Sequence, residues 1–553
     1  MSNQVIGYLV VFGTFAAFMY IAFSTRAKKA DDFYVAGRRI KPLWNGMAVG
    51  ADWMSAASFI SMAGAIAALG YDGLAYIMGW TGGYVVLTLV LAPYLRKFGK
   101  YTAPDFIGDR YESQTARAVA IICAITISFT YCVAQVAGAG IIMGRLMGLP
   151  MKVAIAIGIV IVVASTVMGG MKSITWTQCA QYIVLIVGYL IPVTALCIKM
   201  YGHPLPQLAY GDLLQKIIAK ERELNITPLY IEPFTKMSMA DMWVLTLVLM
   251  IGTAGLPHIM MRFFTTPSVR DARYSAGWAL IFIGALYITA PAYAAFQKYV
   301  VLYDVIGKPI AQLPEWVAAW GKVGLLKIKD AIELGGNGDG ILQFKELDLH
   351  RDIVVLSMPE IAQLPYIVSA LVAAGGLAAA ISTADGLLMV IAAAISHDLY
   401  YKMINPNASE ATRVYLGKSL IGAFAIIAGI VAAGNIGFIV QIVAWAFSLA
   451  AASFFPAIVM GVFDKRTNAY GAGIGMIGGL LITLLYILGV KFGWPVKITP
   501  IAGIKDQGAG LFGMAFNFLS CIIISRLTPP PSEKIMDLVD HLRYPKKLTD
   551  AHD

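Results

Sequence analysis

The sequence predicts an all-α integral membrane protein with about thirteen transmembrane helices, and three observations predict it. First, 59% of the 553 residues are hydrophobic and only 13% are charged, about half the roughly 25% that wets a soluble chain. Second, apolar runs close to the ~20 residues needed to span a hydrocarbon core recur from end to end. Third, two of those runs are interrupted by glycine and polar residues at matching places. The low charge excludes a soluble enzyme and a disordered chain. The net charge of +10 does not indicate nucleic acid, because the basic residues fall in short clusters between apolar segments, as topology signals do. Cys123, Cys132, Cys179, Cys197 and Cys521 all lie in apolar runs. An odd number with no CxxC spacing argues against disulfides and zinc, which leaves them as packing residues.

The first run covers about 4–24, with no basic residue before it and Arg26, Lys28 and Lys29 after it. A cleaved secretory signal has the opposite order, so this is a retained helix with its N-terminus outside. Further runs lie near 43–69, 74–95, 115–146, 153–169, 174–200, 242–262, 274–303, 365–395, 414–434, 436–462, 468–490 and 508–525. Inside connections carry Arg38, Arg39 and Lys41, then Arg96, Lys97 and Lys100, then Lys172, Arg270, Lys402 and Lys465, and the tail from Arg526 to Lys547. The outside turns at Tyr71-Asp72-Gly73 and Asn435 carry none, which places the C-terminus in the cytoplasm of a cell with a bacterial-type inner membrane. The predicted organisation is an extra helix and basic loop over 1–41, a first repeat over 42–201 and an extracytoplasmic loop over 202–241. A second repeat follows over 242–463, including an extracytoplasmic loop over 305–364, then two helices over 464–526 and a cytoplasmic tail over 527–553.

Two spans are broken: GADWMSAAS at 50–58 and GTAGLPH at 252–258. Each opens a set of five spans, and paired interruptions in two halves mark an inverted-repeat transporter with its site at the bilayer midplane. Farther on, Ser382 and Thr383 are adjacent hydroxyls in an apolar helix, with Asp385 in the same span. A lone hydroxyl commonly bonds back to its own helix. A pair facing an unwound helix instead offers a hard monovalent cation the oxygen ligands it requires.

Several stretches carry a resemblance: DFYVAGRR at 32–39, GADWMSAASF at 50–59, TVMGGMKSITWTQ at 166–178, GTAGLPHIMMRFF at 252–264 and AAAISTADG at 378–386. On these the chain resembles the sodium:solute symporters, a family that includes proline, glucose and acetate transporters, and within it the acetate permease branch. The resemblance implies the leucine-transporter type five-plus-five inverted repeat with a broken first helix in each half. It also implies a sodium site made of the carbonyls of Ala51, Met54 and Ala379 and the hydroxyls of Ser382 and Thr383. There are two departures. Proline transporters of the family have an acid where Trp53 stands, whereas here the acid is Asp52, about 100° away around a helix. Gln178 stands where members with a second cation carry Asp, so a single coupling sodium is expected.

Asp52 and Asp385 are intramembrane acids and hence functional candidates. Proton carriage, tuning of the cation site, pairing with a helix end, or a hydrogen-bonded carboxyl that gates nothing are the readings open to them. The expected solute is a small organic anion, because helix ends at the breaks present free N–H groups and positive dipole ends. His258 and Arg262 read as lying toward the cytoplasmic end of their span, which favours a monocarboxylate such as acetate over a dicarboxylate. Asp52, Trp53, Ser55, Tyr131, Gln135, Thr253, Gly255, Gln441 and Trp445 are the substrate-binding candidates, each also suited to helix packing.

In the loop over 305–364, Asn337, Asp339, Gly340 and Glu346 fit positions of the calcium-loop pattern, with Ile341 and Gln343 as further ligands, but Gly335 replaces its first Asp. A weak structural calcium site and a relic loop are the two readings. After a proline stop the tail places Ile535, Leu538, Val539 and Leu542 on one helical face, suited to the inner leaflet or to the protein itself. A small membrane partner subunit is implied by the resemblance only. No phosphate-binding loop, HExxH or GxSxG occurs, so a pump or membrane enzyme lacks its parts. The reading is a sodium-coupled importer of a short monocarboxylate. Its rivals are a solute sensor that does not transport, a symporter of another small solute, and a proton-coupled one.

Overall fold

The computed structural model describes residues 3–27, 29–167, 169–434 and 437–544. The expected topology signals Lys28 and Lys547 and the turn at Asn435 lie outside the described residues. Among those described, eleven helical stretches are long and apolar enough to cross a membrane. The expected figure of about thirteen differs for two reasons. Met151–Val167 is apolar but has only 17 residues. The break near residue 54 leaves a 12-residue Pro42–Trp53 helix, while the following runs join into one stretch, Ala57–Phe98, folded over at a tight turn at Gly70–Gly73.

Local chemistry sets the helix ends. Pro42 and Pro257 occupy first-turn positions, where a missing N–H costs nothing. Thr102, Ser113, Ser238, Ser268, Ser409, Asn468 and Ser532 each accept a main-chain N–H from the first turn of the helix they open. Gly99, Gly148, Gly202 and Gly493 end helices in the left-handed conformation.

Burial sorts the helices into a centre and a lipid-facing rim. The most apolar window of Ile439–Phe463 is 94% buried, against 22% for Asn3–Ser24, so the first helix is peripheral and the last helix of the second predicted repeat is central. Met239–Phe264 and Tyr366–Ile404 share the centre.

The long connections have more structure than their composition suggests. Residues 202–241 contain the helix Pro206–Glu223. The 305–364 segment contains two short helices and a two-stranded antiparallel ribbon pairing Leu326 with Leu349. At the turn Gly70–Gly73, Asp72 accepts the main-chain N–H groups of Phe234, Lys236 and Met237 at 2.7–2.9 Å. A Cβ on Gly70 would meet the Tyr230 carbonyl oxygen at 1.9 Å, so only glycine permits that approach. The tail helix Glu533–Arg543 docks on the protein: Ile535, Val539 and Leu542 are buried, and Lys97 donates to the Tyr544 carbonyl at 2.9 Å.

Candidate functional site

Both predicted interruptions are places where the chain leaves helical geometry. Pro42–Trp53 ends at Met54 (φ −76°, ψ 71°), and helical geometry resumes after Ser55. Met239–Ala254 stops before Gly255–Leu256, where Leu256 is extended, and Pro257 starts the next helix. Against the first break lies Tyr366–Ala393, uninterrupted at this depth.

Ser382 and Thr383 meet the frayed end of Pro42–Trp53. Ser382 Oγ lies 2.7 Å from the Ala51 carbonyl oxygen and 3.0 Å from that of Ala379. Thr383 Oγ1 lies 2.7 Å from the Asp52 carbonyl oxygen and 3.3 Å from that of Ala379. Four of the five expected ligating residues are therefore together, and Met54 sits at the break itself, buried. The Asp52 carbonyl joins them, an oxygen the sequence did not single out. Each hydroxyl has one hydrogen to give and lone pairs to offer. A cluster of neutral oxygens suits a hard monovalent cation, since it needs no buried countercharge.

The Asp52 side chain points elsewhere. Its Oδ2 accepts from Arg262 Nε at 2.9 Å, with both side chains fully buried, and its Oδ1 accepts from Gln178 Nε2 at 3.3 Å. Gln178 Nε2 also lies 2.7 Å from the Ser382 carbonyl oxygen. Arg262 stands in the last turn of Pro257–Phe264, near the end of its span as expected, and its side chain reaches from there to the first broken helix. Each oxygen of Asp52 thus has a partner, and the carboxylate is paired with a buried guanidinium. A Cβ on Gly386 would lie 2.4 Å from Asp52 Oδ1, so the neighbouring helix makes room for the pair.

Asp385 faces Met151–Val167. Its Oδ1 accepts from Ser165 Oγ at 2.9 Å and from Thr166 Oγ1, while its Oδ2 has no hydrogen bond among the described residues. It thereby joins Met151–Val167 to the helix that carries the hydroxyl pair.

The substrate candidates divide. Gln135 Oε1 accepts the Ala56 N–H at 2.9 Å, so its side chain caps the helix that resumes after the break. Trp53, Tyr131 and Trp80 all stack around Phe447, at ring-centre distances of 6.2, 5.8 and 5.8 Å. Among the described residues, Trp53 Nε1, Ser55 Oγ and Gln135 Nε2 are buried without a hydrogen bond, leaving polar groups free beside an aromatic wall. Thr253 bonds back to Leu249 at 2.8 Å, and Gly255 permits close contact with the Ala450 carbonyl. Gln441 and Trp445 both donate to Asp506 Oδ2, at 2.8 and 2.7 Å. Asp506, in the turn before the last helix, was missed because nothing in its neighbourhood shows which helix it will reach.

The calcium-like loop is closed on itself. Both Glu346 oxygens accept main-chain N–H groups, from Asn337 at 3.2 Å and Gln343 at 2.9 Å. Asp339 accepts from the Ile341 N–H and the Asn337 amide, each at 2.8 Å. These bonds hold the Asp339 carboxyl below the usual carboxylate range and order the loop without an ion.

The model of the Sodium:solute symporter family matches residues 33–313 and 351–479. The chain belongs to the sodium:solute symporter family. As a member, the symporter couples movement of a small solute to sodium across a membrane that it spans many times, and it is not an enzyme. It is 38% identical to an uncharacterized symporter of Cupriavidus necator, over 97% of this chain and 94% of that protein. It is 30% identical to a monocarboxylic acid transporter of Corynebacterium glutamicum, over 83% of this chain and 78% of that protein. The symporter shares its helical fold with a sodium-coupled sialic acid symporter solved in a substrate-bound outward-open state. The TM-score is 0.70 and the identity 17%, over 95% of this chain and 99% of that one.

Proposed function

We propose that the symporter imports a short monocarboxylate such as acetate together with one sodium ion. In this reading it works by alternating access, in a five-plus-five inverted repeat whose two halves open at the broken helices. The membrane is a bacterial-type inner membrane, with the N-terminus outside and the C-terminus in the cytoplasm. The observation that carries the reading is the hydroxyl pair Ser382–Thr383 seated on the Ala51 and Asp52 carbonyls of the first broken helix. Sodium among those oxygens would favour the arrangement that brings them together, since an ion shifts only an equilibrium whose states it contacts differently.

The solute class draws support from the Corynebacterium relative and from the chemistry beside the break. Gln135 Nε2 is a buried N–H donor without an acceptor among the described residues, beside the Trp53 indole, suited to a carboxylate, and the Phe447 ring cluster suits a short apolar tail. Arg262 Nε is paired with Asp52, which leaves less of its charge for a second carboxylate. Gln178, an amide bridging Asp52 and Ser382, supplies no charge for a second sodium.

Uptake of labelled acetate into proteoliposomes tests the reading. An inward sodium gradient should drive accumulation above equilibrium, potassium in its place should not, and unlabelled propionate should compete better than succinate. Accumulation driven equally by a proton gradient without sodium, binding without uptake, or two sodium ions moved per acetate would each overturn it.

A further inference from the structure

A second buried cluster lies well away from the broken helices. His397 and Asp398 sit near the end of Tyr366–Ile404, about fifteen residues and so roughly 20 Å along the helix from Ser382. They face the helix Ala103–Arg110, which carries Asp105. The side chains of Asp105, His397 and Asp398 are 1%, 2% and 0% exposed.

The outward oxygens of the two acids are occupied. Asp105 Oδ1 accepts from Arg117 Nη1 at 2.8 Å, and Asp398 Oδ2 accepts from Thr102 Oγ1 at 2.7 Å. Arg117 is shared with Asp109, which also pairs with Lys100. The inward atoms are a different matter. Asp105 Oδ2, Asp398 Oδ1 and both ring nitrogens of His397 are buried with no hydrogen bond among the described residues. His397 Nε2 stands 3.8 Å from Asp105 Oδ2, beyond hydrogen-bond reach. One donor atom from each of the three side chains lies within 4.8 Å of the others.

We propose that Asp105, His397 and Asp398 form a binding site for a first-row divalent transition-metal ion. With His397 neutral, as a metal-ligating imidazole is, Asp105, Asp109 and Asp398 face only Lys100 and Arg117 in the cluster, and a bound cation would balance the third carboxylate. Two donors about 2.1 Å from one ion stand at most about 4.2 Å apart, so the set needs to contract by only about half an ångström. One imidazole with two carboxylates suits manganese, iron, cobalt or zinc in preference to an alkali ion. A cleft of about 320 Å³ lined by Tyr34, Tyr101, His397 and Tyr401 provides the entrance. Bound metal would tie the Ala103–Arg110 helix to the far end of the helix that carries the hydroxyl pair.

The test is a Co²⁺ titration of the tag-free, full-length protein in detergent, followed by its visible d–d absorption. The expected result is a saturable band at one Co²⁺ per chain, displaced by Zn²⁺. Affinity should fall at least about tenfold in Asp398→Asn and in His397→Ala and stay unchanged in the tail variant Glu533→Gln. Should the variants fail to fold, electron spin echo modulation on the Mn²⁺-loaded wild-type protein gives an independent readout, with nitrogen coupling from one imidazole expected. No band in the wild-type protein, equal affinity in folded variants, or no nitrogen coupling would overturn the site.

Discussion

At Asp52 the main chain and the side chain serve different partners. Its carbonyl meets Thr383 and its carboxylate meets Arg262, so an acid open in the sequence to proton carriage, tuning of the cation site or pairing is seen as half of a buried pair. Removing one member of such a pair leaves an uncompensated charge and costs about 3–5 kcal/mol. Arg262→Gln and Asp52→Asn should therefore each lower the thermal unfolding temperature of the protein in detergent. The double variant Asp52→Asn with Arg262→Met should be less destabilised than the two single losses summed. The hydroxyl pair makes a different prediction. Ser382→Ala and Thr383→Ala should each raise the sodium concentration for half-maximal uptake about tenfold, equivalent to ~1.4 kcal/mol. The solute KM at saturating sodium should hardly change, and measuring uptake across a sodium series checks both. The hydroxyls were legible because two adjacent polar residues in an apolar helix stand out. The Asp52–Arg262 pair was not, since its members are 210 residues apart and depth along a broken span cannot be counted as along a straight one.

Element by element, apolar runs revealed most of the spans, because lipid demands long hydrocarbon-lined helices. What they could not reveal was how the breaks share out length, or that the connections carry their own helices and a ribbon. Those features depend on side-chain caps and tertiary contacts, such as Asp72 reaching Phe234, Lys236 and Met237. The 335–346 loop shows a motif whose ligands are diverted: Glu346 and Asp339 bond to the loop's own main chain. Protease protection of this loop should accordingly be the same in millimolar calcium and in chelator, as limited proteolysis with mass-spectrometric mapping would show. The tail face of Ile535, Val539 and Leu542 was legible from its spacing, and the contact with Lys97 decides that it rests on protein.

Across the whole molecule, the sodium candidate site spans two central helices that are distant in sequence, so ion binding should register in global stability. An ion that binds only the folded state stabilises it by RT ln(1 + [L]/Kd), about 2.7 kcal/mol at a hundredfold excess over Kd. Replacing potassium with sodium at constant ionic strength should raise the unfolding temperature of the wild-type protein and leave that of the Ser382→Ala and Thr383→Ala double variant nearly unchanged. The Asp105–His397–Asp398 cluster was beyond sequence reasoning for the same reason as the Asp52 pair: its members reach one place only after the chain has folded back across the membrane several times.

The last two helices are fastened to this centre. Asp506 is gripped by Gln441 and Trp445, and the neighbouring Gln507 receives Tyr76 from the Ala57–Phe98 stretch and, at its carbonyl, Ser448. A shift of Ile439–Phe463 would therefore be passed through that clasp to both C-terminal spans. A chain cut back before residue 464 would leave an amide, an indole and a phenol stranded without the acid and the amide they now hold.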